Sequence, residues 1–217
     1  VVFRASLAGR NGLFLAPSDA SARARKLDPD SALVGGVERD YRLTPDGRWL
    51  VFVANGQGNS RKDVFVVPSD GSAPARSVFT FLSFNADGSL LVVTPDSKRL
   101  VFCPDFVRRD LYSVVLDDPA APVTRLSLPN YSQGNITALG VSADSRYAVF
   151  RADAVTDERY LLYSWPLDGS TGLVTLLPPH AGGVIDFATA SGSRVVYRVV
   201  RPQDRFELFS TLADGSA

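Results

Sequence analysis

The sequence predicts an all-β fold: a propeller of four-stranded antiparallel blades, about five in view and forming part of a larger ring. Three observations carry this expectation. An apolar residue followed by an aromatic recurs at Val2-Phe3, Val51-Phe52, Val101-Phe102, Val149-Phe150 and Val196-Tyr197, advancing by 49, 50, 48 and 47 residues. A second pair follows each: Leu13-Phe14, Val64-Phe65, Leu111-Tyr112, Leu162-Tyr163 and Leu208-Phe209. A tight turn containing Asp precedes most copies of the first pair. A fixed period of this size marks one supersecondary unit, copied and stacked because a single copy cannot bury its own apolar faces.

The clearest copy defines the unit. Strand A spans residues 39–43 and ends at the turn Thr44-Pro45-Asp46-Gly47-Arg48; strand B follows over 49–54. A looser connection, 55–63, leads to strand C at 64–67, and the turn Ser69-Asp70-Gly71-Ser72 leads to strand D near 76–79. Each strand is a short β-branched and aromatic run bounded by turn residues. Strands B and C are apolar on consecutive positions, the pattern of a sheet covered on both faces. No stretch has a helical period.

The A–B turn returns as Thr94-Pro95-Asp96-Ser97-Lys98, Ser142-Ala143-Asp144-Ser145-Arg146 and, without its Asp, Thr189-Ala190-Ser191-Gly192-Ser193-Arg194. The C–D turn returns at Ser18-Asp19-Ala20-Ser21, Asp168-Gly169-Ser170 and Asp214-Gly215-Ser216. Asp at such positions accepts a hydrogen bond from the backbone two residues on, so a structural role is expected for these carboxylates. They lack the dense oxygen spacing of a calcium loop. The chain reads as one propeller, or a piece of one, over 1–217, with repeats near 1–36, 37–80, 81–127, 128–176 and 177–217. The first copy lacks strand A and the last lacks strand D. The missing strands are expected in flanking sequence, within a ring of about six to eight blades. Open edges also leave self-association available to the fold.

The motif resembles the TolB-like propeller repeats, also described as WD40-like Pro-Asp repeats. Residues 44–52 carry the resemblance best and 189–197 least well. The resemblance implies a bacterial setting, in the periplasm, at the cell surface or secreted, without transferring a partner.

Composition narrows the function. The 23 basic and 23 acidic residues cancel, which argues against a nucleic-acid partner. No run of 18 apolar residues exists, so no transmembrane helix is expected. The only cysteine, Cys103, follows Leu100-Val101-Phe102 and reads as a small buried hydrophobe. No catalytic constellation is visible. Gly58-Asn59-Ser60-Arg61-Lys62 lacks the closing glycine of a nucleophile elbow, and the single histidine, His180, sits in a Pro-Pro-His-Ala-Gly loop. One His and one Cys make a zinc site a poor expectation, and no cofactor is called for. Loop acids such as Asp153, Asp157, Glu158 and Asp204 are plentiful, but nothing singles out a pair for glycoside chemistry.

Arginine gives the better signal, with 20 Arg against Lys26, Lys62 and Lys98. An arginine stands in every B–C connection: Arg10, Arg61, Arg108, Arg159 and Arg205. Propeller topology puts the B–C and D–A loops on one face, where recognition is concentrated. These five are the candidate residues for a protein partner or small anionic ligand. The competing expectation pairs each with a nearby carboxylate such as Asp63, Asp110, Asp157 or Asp204. A second series, Arg4, Arg151 and Arg198, follows the strand-B aromatic and is expected to bridge blades. The apolar run Phe79, Phe81, Leu82 and Phe84 reads as strand D and its extension rather than a docking patch. The function expected is a non-catalytic binding or scaffold propeller. The alternative is the gating or accessory propeller of a multidomain peptidase or glycoside hydrolase.

Overall fold

The computed structural model describes residues 1–7, 9–29, 36–55, 61–82, 90–104, 110–127, 135–154, 159–170, 172–177 and 182–216. Among the described residues every sheet is antiparallel, and the only helical element is a single 3-10 turn, Pro202–Asp204. Blade 1 has three strands: β1 (Val2–Leu7), β2 (Arg10–Leu15) and β3 (Arg25–Lys26). Blade 2 has four: β4 (Gly36–Leu43), β5 (Trp49–Asn55), β6 (Arg61–Pro68) and β7 (Arg76–Leu82). Blade 3 comprises β8 (Leu90–Val93), β9 (Arg99–Cys103), β10 (Asp110–Val115) and β11 (Thr124–Ser127). Blade 4 comprises β12 (Ile136–Val141), β13 (Tyr147–Ala152), β14 (Leu161–Pro166) and β15 (Val174–Thr175). Blade 5 has β16 (Val184–Thr189), β17 (Arg194–Arg201) and β18 (Arg205–Leu212). Two compact units divide the chain, Val1–Asp87 with blades 1 and 2, and Gly88–Ala217 with blades 3 to 5.

The two sequence series are direct cross-strand neighbours in every blade. Phe3 faces Phe14, Phe52 faces Phe65, Phe102 faces Tyr112, Phe150 faces Tyr163 and Tyr197 faces Phe209. Ring centroids lie 5.3 to 5.8 Å apart with the planes within 27° of parallel. Successive side chains of a strand point to opposite faces. The aromatic of each pair therefore goes to one face and its Val or Leu to the other.

That alternation builds the cores. In the first unit, Leu13 and the half-buried Val2 and Leu15 pack on Phe52, Phe65 and Val67 of blade 2. In the second, Val101, Cys103 and Leu111 of blade 3 pack on Phe150 and Tyr163 of blade 4. Val149 and Leu162 of blade 4 then pack with Tyr197, Val195 and Val199 of blade 5. Cys103 is buried there, as its apolar neighbours suggest. Two glycines permit close approach. A Cβ on Gly36, whose φ is +81°, would lie 2.7 Å from the Asn11 carbonyl oxygen of blade 1. A Cβ on Gly140 would lie 3.1 Å from the Phe187 ring of blade 5.

The aspartate turns are structural. Thr44 donates its hydroxyl hydrogen to Asp46 at 2.5 Å and accepts the Trp49 N–H at 3.0 Å, while Asp46 accepts the Arg48 N–H at 3.0 Å. The same three bonds recur around Asp96 and Asp144. In the C–D turns, Asp19, Asp70, Asp168 and Asp214 each accept a hydrogen bond from the backbone of a serine two residues on, at 2.8 to 3.0 Å.

Candidate functional site

The end of strand B and the start of strand C form one rim of each blade, and four of the sequence-predicted arginines, Arg10, Arg61, Arg159 and Arg205, sit there. The structure moves them relative to expectation. Strand β6 begins at Arg61, three residues before the apolar run, so Arg61 belongs to the ladder opposite Leu82. Arg10 opens β2 opposite Leu7, and Arg205 opens β18 opposite Arg201. Arg159 is exposed just before β14, and Arg108 lies outside the described residues. Asp157, Glu158, His180 and Ser60 also lie outside them, as does Phe84 of the apolar run. Phe79, Phe81 and Leu82 are in β7, as expected for strand D.

Arg61 is held within its own blade. Its Nε is 3.9 Å from Asp63 Oδ1, and Nη2 donates to Thr80 Oγ1 at 3.3 Å. Thr80 in turn donates its hydroxyl hydrogen to the buried Asp63. Beside it, buried Lys62 pairs with Glu38 at 3.2 Å. Blade 3 carries a further pair at this rim: the Arg125 guanidinium donates twice to Asp110 Oδ1, at 3.1 and 2.6 Å. Burial pushes the Tyr112 hydroxyl up, and the adjacent Asp110 carboxylate adds to the shift. The hydrogen bond to Asp110 raises the Arg125 guanidinium further, favouring its charged form.

The second arginine series divides. Arg4 bridges blades as expected, its Nε donating to the Val37 carbonyl at 3.0 Å. Arg198 does not: it forms a two-point pair with Asp186 of its own sheet, at 3.2 and 2.6 Å, and stacks over Phe206 at 5.5 Å. Arg151 also stays within its blade, its guanidinium 4.5 Å from the Tyr160 ring. The correction has a simple cause. Asp186 lies directly opposite Arg198, so the shortest reach for that guanidinium is inside its own sheet.

Blades 4 and 5 thus share a constellation, an arginine of strand B stacked on an aromatic at the approach to strand C, Tyr160 just before β14 and Phe206 second in β18. The dipeptides Arg159-Tyr160 and Arg205-Phe206 were the available sequence signal for it. The two differ at one position. Where Asp186 faces Arg198, Ala138 faces Arg151. Among the described residues the buried Nε of Arg151 has no hydrogen-bond partner. A planar guanidinium backed by an aromatic face, with alanine rather than a carboxylate opposite it in the ladder, suits a carboxylate or phosphate ligand. The nearby Asp153 is buried and accepts the Asn135 N–H.

No group of three His, Cys, Asp or Glu able to hold a metal occurs among the described residues. No helix among them is long and apolar enough to cross a membrane.

No family model and no curated protein matches the chain. Its fold is similar to that of a puromycin-hydrolyzing peptidase of Mycobacterium tuberculosis, with a TM-score of 0.56 and 17% identity. It is likewise similar to prolyl oligopeptidase B from Galerina marginata in its apo form, with a TM-score of 0.57 and 14% identity. Each likeness covers 94% of this chain and 32% of the other, so the chain spans about a third of the length of these solved structures. The matched regions are the β-propeller domains of these peptidases, which establishes the fold class as a β-propeller.

Proposed function

We propose that this chain is a non-catalytic propeller acting as the accessory or gating domain of a larger peptidase-like protein, with its B–C rim turned toward substrate or partner. One observation carries the reading: nearly all of the chain superposes on about a third of two peptidases. The chemistry would reside outside these residues; the described part of the rim holds ion pairs and stacked rings. The TolB-like turns support a bacterial envelope or secreted setting for the whole.

Arg151 favours a second reading of the same face, a binding scaffold for an anionic ligand. Its guanidinium rests on Tyr160, and alanine replaces the carboxylate that its counterpart Arg198 uses. The test is peptide hydrolysis by the natural full-length polypeptide, unmodified and as Arg151→Glu. The gating reading expects hydrolysis, with KM for acidic peptides raised about tenfold and kcat held, since about 1.4 kcal/mol of lost attraction is a factor of ten. No hydrolysis with any peptide overturns the peptidase reading. Unchanged KM together with unchanged binding of acidic peptides overturns the role of Arg151.

A further inference from the structure

The A–B and C–D turns lie at the other end of each blade from the B–C rim, and between blades 3 and 4 they leave a cavity of about 150 Å³. Arg99, which opens β9, lines it from blade 3. Blade 4 supplies Arg146 and Tyr147 from its A–B turn, and Pro166, Leu167 and Asp168 from its C–D turn. The Arg146 guanidinium lies 5.9 Å from the Tyr147 ring. Among the described residues, neither Arg99 nor Arg146 has a side-chain hydrogen bond or a carboxylate within 4.0 Å. By contrast, Arg125, Arg198 and Arg201 of the same unit each hold a carboxylate. The seam above the cavity is also incomplete. Ser164 of blade 4 is fully buried and donates its hydroxyl hydrogen to the Ala213 carbonyl of blade 5. Ser113, its counterpart in blade 3, is 1% exposed, and among the described residues its hydroxyl has no partner. Leu167 holds the place of Ala213 in the repeat, since each donates its N–H across the same turn, and Leu167 lines the cavity.

We propose that this cavity binds a free aliphatic α-amino acid in its zwitterionic form. Two guanidiniums from different blades border one space, and their planar forks suit a carboxylate. The Asp168 carboxylate at the same cavity accepts the Ser170 N–H at 2.8 Å. A carboxylate has about four acceptor sites, which leaves room for an ammonium. Asp144, Asp168 and Asp214 all act on Arg146 through space, so the local charge is mixed. A mixed field disfavours a dianion and suits a ligand carrying both signs. Tyr147, Pro166 and Leu167 offer the ligand an apolar wall. A space of this size admits a body as large as benzene, hence one amino acid rather than a peptide. The site is distinct from Arg151, which stands near the far end of β13 from Tyr147. It does not depend on the peptidase reading.

The test is a ligand-observed NMR titration of the natural full-length polypeptide with L-leucine. Isocaproate, which lacks the ammonium, and isoamylamine, which lacks the carboxylate, serve as comparison probes. Leucine is expected to bind saturably with Kd of about 1 mM or tighter, and each comparison probe at least about tenfold more weakly. Arg99→Gln is expected to weaken leucine at least about tenfold. Asp168→Asn is expected to weaken leucine without weakening isocaproate, and it carries the test alone should Arg99→Gln impair folding. No saturable binding of leucine overturns the inference, as does leucine binding that neither substitution changes. Isocaproate binding as tightly as leucine reduces the cavity to a simple carboxylate site and overturns it too. Leucine binding by a polypeptide that hydrolyses no peptide would sink the functional proposal and leave this one standing.

Discussion

Ser145 sits at φ +63° and accepts a hydrogen bond at 3.0 Å from the backbone N–H of Asp96 in the preceding blade. Glycine is the usual residue at positive φ, and Gly47 fills the equivalent place in blade 2. The serine hydroxyl is a reason to carry the conformational strain: it ties one turn to the next. Ser145→Ala keeps the strain and loses the bond, so a loss of about 1 kcal/mol is expected. Ser145→Gly also loses the bond but relieves a left-handed penalty of about 1–2 kcal/mol, bringing it near neutral. Urea unfolding distinguishes them, and a Ser145→Ala midpoint equal to that of the unmodified protein would remove the hydroxyl from the explanation.

Phe150 and Tyr163 stack within blade 4 and lie under the aliphatic face of blade 3. Phe150→Ala is expected to cost about 3–5 kcal/mol through lost burial and a residual cavity. Phe206→Ala, at an exposed ring, should cost less than about 1 kcal/mol in the same chain. Chemical denaturation of both variants reads the contrast directly.

Gly36 holds φ +81° against the Asn11 backbone of blade 1. Gly36→Ala adds both a left-handed penalty and a clash at 2.7 Å, so destabilisation of at least about 2 kcal/mol is expected. Thermal unfolding with a near-wild-type melting temperature would contradict the close approach of blades 1 and 2.

The C–D turns predict an acid response. Hydrogen bonds from the serine two residues on hold the carboxyls of Asp70, Asp168 and Asp214 below their ordinary value of 3.8. A depressed folded pKa means the stabilisation is complete above that ordinary value and is lost as pH falls through the lower folded one. Removing the three hydroxyls as Ser72→Ala, Ser170→Ala and Ser216→Ala should therefore shrink the drop in melting temperature between pH 6 and about pH 3. An unchanged drop would place the acid sensitivity elsewhere. Asp144 behaves similarly inside the second unit: burial pushes its carboxyl up, but hydrogen bonds from Ser142 and Ser193 outweigh this and hold it down.

The blades were legible because both halves of their packing rule are local. Val149-Phe150 and Leu162-Tyr163 state in adjacent letters which side chain goes to which face, and the period supplies the stacking. The start of strand C was not legible, because Arg61, Lys62 and Asp63 look like loop chemistry when read along the chain. Partners on other strands, Glu38 and Thr80 among them, make charges at those positions tolerable inside a ladder. The arginine series was visible as a repeat, but its roles were not. Arg198 and Arg151 part ways through Asp186 and Ala138, each 12 or 13 positions upstream and placed opposite by a strand register that includes a bulge.

The two faces of each blade differ in kind, one aliphatic and one aromatic, so the stack has a direction like a chain of plugs and sockets. A duplicated blade inserted at a described joint would meet a socket before it and offer a plug after it. Blade number can therefore drift through gene duplication without any new interface having to arise, while an inverted blade would set ring against ring and aliphatic against aliphatic. The apolar-aromatic pairs repeated at a nearly constant period in this sequence are what such a ratchet of head-to-tail additions would leave behind.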